Sequence, residues 1–376
     1  MSHYYKAAKD GAGDMPSVRV GIVGIGNCFA GLYQGTEYYK RNPGRTIIGL
    51  VHETIGGYSW KDIEFVSAFD VGANKVGEPL HKAINQYPNM VNWVPEMPES
   101  NCIVKESPIL DGVGLFVQNR ISPVKGRPTS VLREEALAEL KSTRTEVLVN
   151  YLPVGSQKAT EFWADVALDA GCAFVNCIPV FIASHSEWES RFRDKGLPVI
   201  GDDVKGVVGA TIVHRTLARL CDERGTKVER TYQINVGGNT DFLNMKEQER
   251  LHSKKISKTE SVQSQLRTRL PDENIYVGPS DFIPFLGNTK LMFMRIEGTM
   301  WADRPYNMEV RLEVDDKANS AGIVVDAIRC AKLAMDRGEK GALIGPSAYL
   351  MKHPPKQYTD PDARAMFERF AQGEGR

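Results

Sequence analysis

The β-branched run Val18–Gly26 (VRVGIVGIG) ends in glycines, and it narrows the fold more than any other stretch of this chain. Such a run reads as a buried parallel strand entering a tight turn. Asn27–Lys40 then carries helical spacing, with Phe29, Leu32 and Tyr33 on one side. Phe65–Phe69 is a second buried strand, ending at Asp70. Glu146–Val149 is a third, behind the helix Val131–Lys141, and Ala173–Val175 begins a fourth, behind the helix Lys158–Ala170. Strands alternating with helices give βαβ crossovers and a mainly parallel sheet. From about Gly206 the texture changes. Lys227–Val236, Leu291–Glu297 and Asn307–Val314 alternate with period two, which suits a sheet covered on one side only. Ala321–Arg337 is a long amphipathic helix stopped by Gly338.

Gly24-Ile25-Gly26 sits where a dinucleotide fingerprint belongs, because a glycine turn lets backbone approach a pyrophosphate at a helix N-terminus. Phe29 occupies the place of the third glycine. Asp70 is the natural partner for a ribose hydroxyl and favours NAD over NADP, although it lies beyond the usual interval of about 20 residues. The same residues also suit a turn that binds nothing and an acid that caps the next turn. Asn150 and Pro153, and on the next strand Asn176, Cys177 and Pro179, fall at the ligand-facing edge of such a sheet. The expected fold is α/β, a Rossmann-like parallel sheet with an inserted α+β domain. Residues 1–205 and 316–376 form its nucleotide-binding part, and 206–315 the insertion. The irregular stretches His52–Asp62 and Asn101–Arg127 are long enough to be functional loops.

With 376 residues, 42% of them hydrophobic, the chain needs neither disulfides nor a structural metal to hold a core. Lys+Arg and Asp+Glu are equal at 47 each, which argues against a nucleic-acid partner. The six cysteines show no C-x-x-C pair, hence no zinc site or disulfide framework, and point to a reducing, cytoplasmic setting. Met1–Pro16 lacks the apolar region of a secretory signal, and no apolar run is long enough to span a membrane.

The second half is rich in lysine. Gly201–Lys205 (GDDVK) places two acids and Lys205 after a short apolar run. Asn235, Asn239 and Asp241 lie in a polar, glycine-opened loop. Lys254 and Lys258 fall at i and i+4 in LHSKKISK, where like charges mildly destabilise a helix unless an anion bridges them. On spacing alone a solvated face is the favoured reading. Lys290 equally suits a strand-edge lysine that blocks aggregation. Lys352 lies in YLMKHPP.

Taken together, VGIGNC (Val23–Cys28), Ala68–Val71, GDDVK, Asn239–Phe242 (NTDF), SKKISK (Ser253–Lys258) and Asn319–Asp326 (NSAGIVVD) resemble the myo-inositol-1-phosphate synthase family in its shorter bacterial and archaeal form. The resemblance implies isomerisation of D-glucose 6-phosphate to 1D-myo-inositol 3-phosphate, with NAD regenerated in each cycle. The steps are oxidation at C5, enolisation at C6, aldol closure onto C1 and re-reduction. It carries Lys205, Lys254, Lys258, Lys290, Lys352 and Asp241 over as catalytic, with Lys258 and Lys205 assigned to proton transfer and oxyanion stabilisation at C5. Lys290 and Lys352 are assigned to oxyanion stabilisation and phosphate binding. Lys254 is the weaker member and Lys255 its neighbour in register. Asn235 and Asn239, with Lys254, Lys290 and Lys352, would bind substrate. Gly24, Gly26, Asn27, Cys28, Asp70, Asn150, Pro153, Asp203 and Asp316 would hold the cofactor. Some archaeal and bacterial members need a divalent cation while eukaryotic ones favour ammonium, and no metal ligands are assigned. Asn288 stands where longer members carry an acid. Members assemble as tetramers through the inserted domain, so a homotetramer is expected. The polar segment Ser253–Val262 is expected to order over substrate.

A net dehydrogenase of the homoserine dehydrogenase architecture would explain Gly24, Gly26 and Asp70 equally well, but not the lysines or the NTDF and SKKISK blocks. A non-catalytic NAD-sensing module would leave the lysine-rich half idle.

Overall fold

A computed structural model describes residues 17–247, 252–278 and 281–373. Met1–Pro16, expected to be no secretory signal, falls outside the described residues. Strand β1 (Val18–Val23) is buried almost throughout and feeds α1 (Asn27–Arg41), whose first turn has neither a side-chain cap nor an acid. His52–Asp62, expected as a functional loop, is instead a structural hairpin of β2 (Thr54–Ile55) and β3 (Tyr58–Ser59). Its carbonyls are claimed by the buried Arg329 guanidinium, which donates to His52 O at 2.9 Å, Glu53 O at 2.8 Å and Tyr58 O at 3.3 Å. Next come β4 (Ile63–Asp70), α2 (Leu80–Ala83), β5 (Val104–Glu106), α3 (Thr129–Ser142) and β6 (Val147–Asn150). They are followed by α4 (Gln157–Ala170), β7 (Ala173–Asn176), α5 (Ser186–Asp194) and β8 (Pro198–Ile200).

The chain then builds α6 (Ala210–Glu223), β9 (Lys227–Gly237), α7 (Thr240–Asn244), α8 (His252–Gln263), β10 (Ile275–Val277) and β11 (Asp281–Phe282). Strands β12 (Thr289–Met300) and β13 (Arg304–Asp315) run past their expected ends because they pair without a break from Thr289↔Asp315 to Met300↔Arg304. Helix α9 (Ala318–Asp336) begins ahead of the expected Ala321, since Asp315 Oδ1 accepts the amides of Lys317 and Ala318 at 2.9 Å each and caps the joint. β14 (Gly341–Ala342), α10 (Ile344–Leu350) and α11 (Asp360–Gln372) complete the order.

Seven strands form a parallel sheet in the order β14-β8-β7-β6-β1-β4-β5. The chain winds outward on both sides of β1, so the carboxyl ends of β1, β4 and β6 border the crevice of a topological switch point. Helix α9 presses Val324, Ile328 and Ala331 onto one face of this sheet. Trp163 of α4 covers the other face, its ring centroid 4.5 Å from that of Phe69. The second sheet runs β10-β9-β12-β13, with β11 also on β9, and β12 antiparallel to both its neighbours. Its covered face packs Met292, Met294 and Ile296 under Ala218, Cys221 and Val262 of α6 and α8. Tyr232, Ile234 and Phe293 lie exposed on the other, as the period-two pattern predicts.

The chain crosses between the sheets at 206–209 and again at 315–317, and Asn319 ties the crossings together. Its carbonyl accepts Val207 N at 2.7 Å and its Oδ1 accepts Val208 N at 2.9 Å. A Cβ on Gly206 would sit 2.7 Å from Asn319 Nδ2, so the approach depends on glycine. Among the described residues no helix is long and apolar enough to cross a membrane.

Candidate active site

The glycine turn opens the first of two adjoining cavities. Gly24 has φ +91°, and a Cβ there would lie 2.8 Å from Tyr151 O, so the turn needs glycine twice over. A Cβ on Gly26 would meet nothing within 4 Å, which leaves the backbone of the first α1 turn facing open space. Phe29, in place of the third glycine, is buried against Phe65 at 5.1 Å between ring centroids. Gly24, Gly26, Asn27, Cys28, Asp70 and Pro153 all line this crevice. Asp70 also fixes the turn, accepting Ile25 N at 2.7 Å and Gly72 N at 2.8 Å. Asn27 Oδ1 accepts Met90 N at 2.6 Å and brings that segment over the opening. From Asn101–Arg127, Ser107, Pro108, Ile109 and Gly112 form part of the wall, so that long loop does serve the cavity.

The second cavity gathers Lys205, Lys254, Lys258, Lys290, Lys317 and Lys352. It shares Cys28, Tyr151, Leu152 and Asp241 with the crevice, so the two adjoin across these residues. Residues 202–205 pair with 350–353 as a short ladder: Asp202 N to His353 O at 2.9 Å, Lys205 N to Leu350 O at 2.9 Å, and Lys352 N to Asp203 O at 2.7 Å. That ladder sets Lys352 opposite Asp203 and Lys205 opposite Leu350. Helix α8 supplies Lys254, Ser257 and Lys258 from one face. Lys290 enters at the start of β12, opposite the end of β13, which carries Asp316 just beyond it.

Asp203 organises the cluster. It accepts Lys352 Nζ at 2.9 Å and Lys254 Nζ at 3.4 Å on Oδ1, and Ser257 Oγ at 2.8 Å on Oδ2. Burial alone would raise its pKa, but the two ammonium groups outweigh burial and hold it below the usual carboxylate range. The α8 lysines therefore form no solvated face, because a buried acid draws them inward. Lys254 is the one that points in, while Lys255 is exposed. Burial lowers Lys352 to about 8 against the pull of Asp203. Lys258 is buried, and no hydrogen bond or ion pair reaches its ammonium among the described residues. Burial, and then the charges of Lys254, Lys290 and Lys352, push its pKa well below that of ordinary lysine. Burial also lowers Lys205, which donates to Ala348 O at 2.7 Å.

Asp203 and Asp316, expected near the nicotinamide and the catalytic lysines, do lie among the lysines and line their cavity. Each is neutralised there by ammonium groups, as the lysines demand. Several residues sit elsewhere than their sequence suggests. Asn150 is fully buried away from both cavities. Its Nδ2 donates to Asn176 Oδ1 at 2.9 Å, and Asn176 Nδ2 donates to Asp202 Oδ1 at 2.7 Å, so these amides brace the GDDVK turn. Asn239, expected on the sugar, is buried and caps α7, accepting Asp241 N at 3.0 Å and donating to Asp316 Oδ2 at 3.3 Å. Asn235 does line the lysine cavity. Ser253–Val262, expected to order over substrate, lies within helix α8 with Ser257, Ser261 and Val262 buried.

Sequence reasoning missed three cations. Lys317 lies 2.7 Å from Asp241 Oδ2 and 3.1 Å from Asp316 Oδ2. Lys75 is buried beneath the glycine turn, donating to Ile25 O at 2.7 Å. Arg215 is fully buried and holds α8 through Ser261 O at 3.0 Å and the following chain through Tyr358 O at 2.9 Å. A lysine directly after the expected Asp316 was the only local signal among them.

A sequence model of the family described as myo-inositol-1-phosphate synthase matches residues 209–317, the stretch that carries four of the six lysines of the cavity. The inositol-3-phosphate synthase of Mycolicibacterium smegmatis is 47% identical over 361 residues, covering 95% of this chain and 98% of the relative. That of Mycobacterium tuberculosis is 48% identical over 357 residues, covering 95% and 96%. The crystal structure of inositol-3-phosphate synthase from Caenorhabditis elegans superposes with a TM-score of 0.74, covering 95% of this chain and 86% of that one. At 13% identity that likeness bears on the fold alone. Near-complete coverage at close to half identity settles the kinship: the chain belongs to the inositol-3-phosphate synthase family.

Proposed function

We propose that the two adjoining cavities convert D-glucose 6-phosphate to 1D-myo-inositol 3-phosphate, with NAD in the glycine crevice and the sugar among the lysines. The observation that carries this reading is the convergence of six lysines from separate stretches on one cavity that shares four wall residues with the glycine crevice. The crevice suits a dinucleotide: open backbone at Gly26, an uncapped α1 N-terminus and a carboxylate at Asp70. When bound there, NAD supplies a hydride acceptor that is restored within each cycle.

The remaining work falls to the chain's own side chains. Oxidation at C5 acidifies the C6 hydrogens, so a base must take a proton in a site that also steadies an oxyanion. Lys258, buried and unpaired, is suited to take and return that proton, and Lys205 shares the oxyanion. Lys352, Lys254 and Lys290 are each backed by a carboxylate and grip phosphate and hydroxyls as fixed cations, bringing C1 to C6 as a proximity device. Asn235 and Asp241 face the sugar. In this reading 1–205 with 316–376 hold the cofactor and 206–315 completes the lysine cavity. The homotetramer belongs to the same proposal, supported by the exposed apolar side chains on the second sheet, as does cytoplasmic residence, which suits six free thiols.

Incubation with glucose 6-phosphate and catalytic NAD is the direct test. Periodate-sensitive inositol phosphate without accumulating NADH is the expected outcome, whereas stoichiometric NADH would point to a net dehydrogenase. The pH profile offers a second test. Lys352 loses its proton near pH 8, so kcat/KM for glucose 6-phosphate should fall on the alkaline side with an apparent pKa of about 8. A profile flat to pH 10 would remove Lys352 from phosphate binding.

A further inference from the structure

The family resemblance implies a divalent cation or free ammonium, and the acids placed to attract one are Asp241 and Asp316. Asp316 lines the lysine cavity, and Asp241 lies where that cavity meets the glycine crevice. The position between them is already filled. The Lys317 ammonium lies 2.7 Å from Asp241 Oδ2 and 3.1 Å from Asp316 Oδ2, on a side chain that is 2% exposed. Its remaining contact is Cys28 Sγ at 3.4 Å, in the first turn of α1. The second oxygen of Asp316 receives Lys290 Nζ at 3.3 Å. Burial alone would lower the Lys317 pKa, but Asp241, Cys28 and Asp316 outweigh it and hold it well above the ordinary lysine value. Geometry and neighbouring charge thus both favour the protonated form.

A hard dication takes six or more oxygens, or several waters beside one or two carboxylates. Entering here, it would have to expel a charge-assisted pair or sit beside a fixed ammonium in a partly desolvated site, where like charges repel strongly. Nor are three His, Cys, Asp or Glu side chains grouped to hold a metal anywhere among the described residues. The acid pair does not fit an added metal ion.

We propose that Lys317 is a tethered counter-cation that fills the Asp241–Asp316 position, so that this enzyme turns over without a free metal ion or ammonium. The turnover part of the proposal rests on the cyclising activity set out above; the ion-binding part stands by itself.

The test is a Mn²⁺ titration of the full chain, stripped by chelator and followed by electron paramagnetic resonance. The wild-type protein should leave Mn²⁺ free, whereas Lys317→Ser should take up about one ion per chain through the vacated acids. In parallel, wild-type turnover should change by less than about twofold with chelator or with ammonium chloride, and Lys317→Ser should be slowed by about tenfold or more and regain rate with ammonium or Mn²⁺. Stoichiometric Mn²⁺ uptake by the wild type that Asp316→Asn abolishes would overturn the proposal. Wild-type turnover that chelator removes and metal restores would do the same, as would a folded Lys317→Ser that neither binds Mn²⁺ nor responds to ammonium. Should Lys317→Ser fail to fold, the two wild-type measurements decide the matter. Absence of any inositol phosphate would count against the cyclising activity and leave the Mn²⁺ result readable.

Discussion

Replacing Lys258 by alanine should lower turnover by about 10²–10³-fold, the usual loss when a fixed stabiliser of a developing oxyanion is removed. NAD affinity should stay near wild type, because Lys258 lines the lysine cavity and not the glycine crevice. Lys258→Arg separates charge from proton transfer. Arginine keeps the cation but does not release a proton in proteins, so that variant should be almost as slow as the alanine one. The distinction matters because Lys258 alone among the five expected lysines combines burial with an ammonium that no hydrogen bond or ion pair reaches among the described residues. Near-normal turnover in Lys258→Ala would refute its role as base, and an active Lys258→Arg would reduce it to a fixed charge.

Asp203→Asn should damage both stability and chemistry. The carboxylate is 1% exposed and is the acid that Lys254 and Lys352 share. Removing one partner from such a buried arrangement costs about 3–5 kcal/mol, since the ammonium groups left behind lose their compensation. Urea unfolding measures that loss. The kinetic consequence has a defined sign. Asp203 raises the Lys352 pKa against the lowering effect of burial, so without it the alkaline limb of kcat/KM should move below its wild-type position near pH 8. An Asp203→Asn protein of wild-type stability whose alkaline limb has not moved would show that the acid does not organise the cluster.

Four strands of the first sheet, β1, β4, β6 and β7, were legible because their signals are local, whereas β5, β8 and β14 are only two or three residues long and carry no pattern. Valine- and isoleucine-rich strands, a glycine turn and intervening helices fix a parallel sheet within a few dozen residues of one another. The lysines of α8 were visible as a pair, but which way they face depends on Asp203, which is 51 residues away from Lys254. Amide side chains were the least legible. Asn150, Asn235 and Asn239 look alike in sequence, yet one braces a turn, one faces the cavity and one caps a helix. Arg215 lies within an amphipathic helix, and its partners Gln357 and Asp360 are 142 and 145 residues further on. Lys317 escaped notice because its direction is set where β13 hands over to α9, through the Asp315 cap, and no periodicity describes a joint.

The stitch at Asn319 has a mechanical corollary. Asn319 stands two residues past the second passage and bonds the first through Val207 N and Val208 N, so slippage of either passage breaks the same two hydrogen bonds. The insertion is moored a second time, where Asp203 receives Lys254 and Ser257 and Arg215 donates to Tyr358 O, so the α8 cations are held to the first half before any anion arrives.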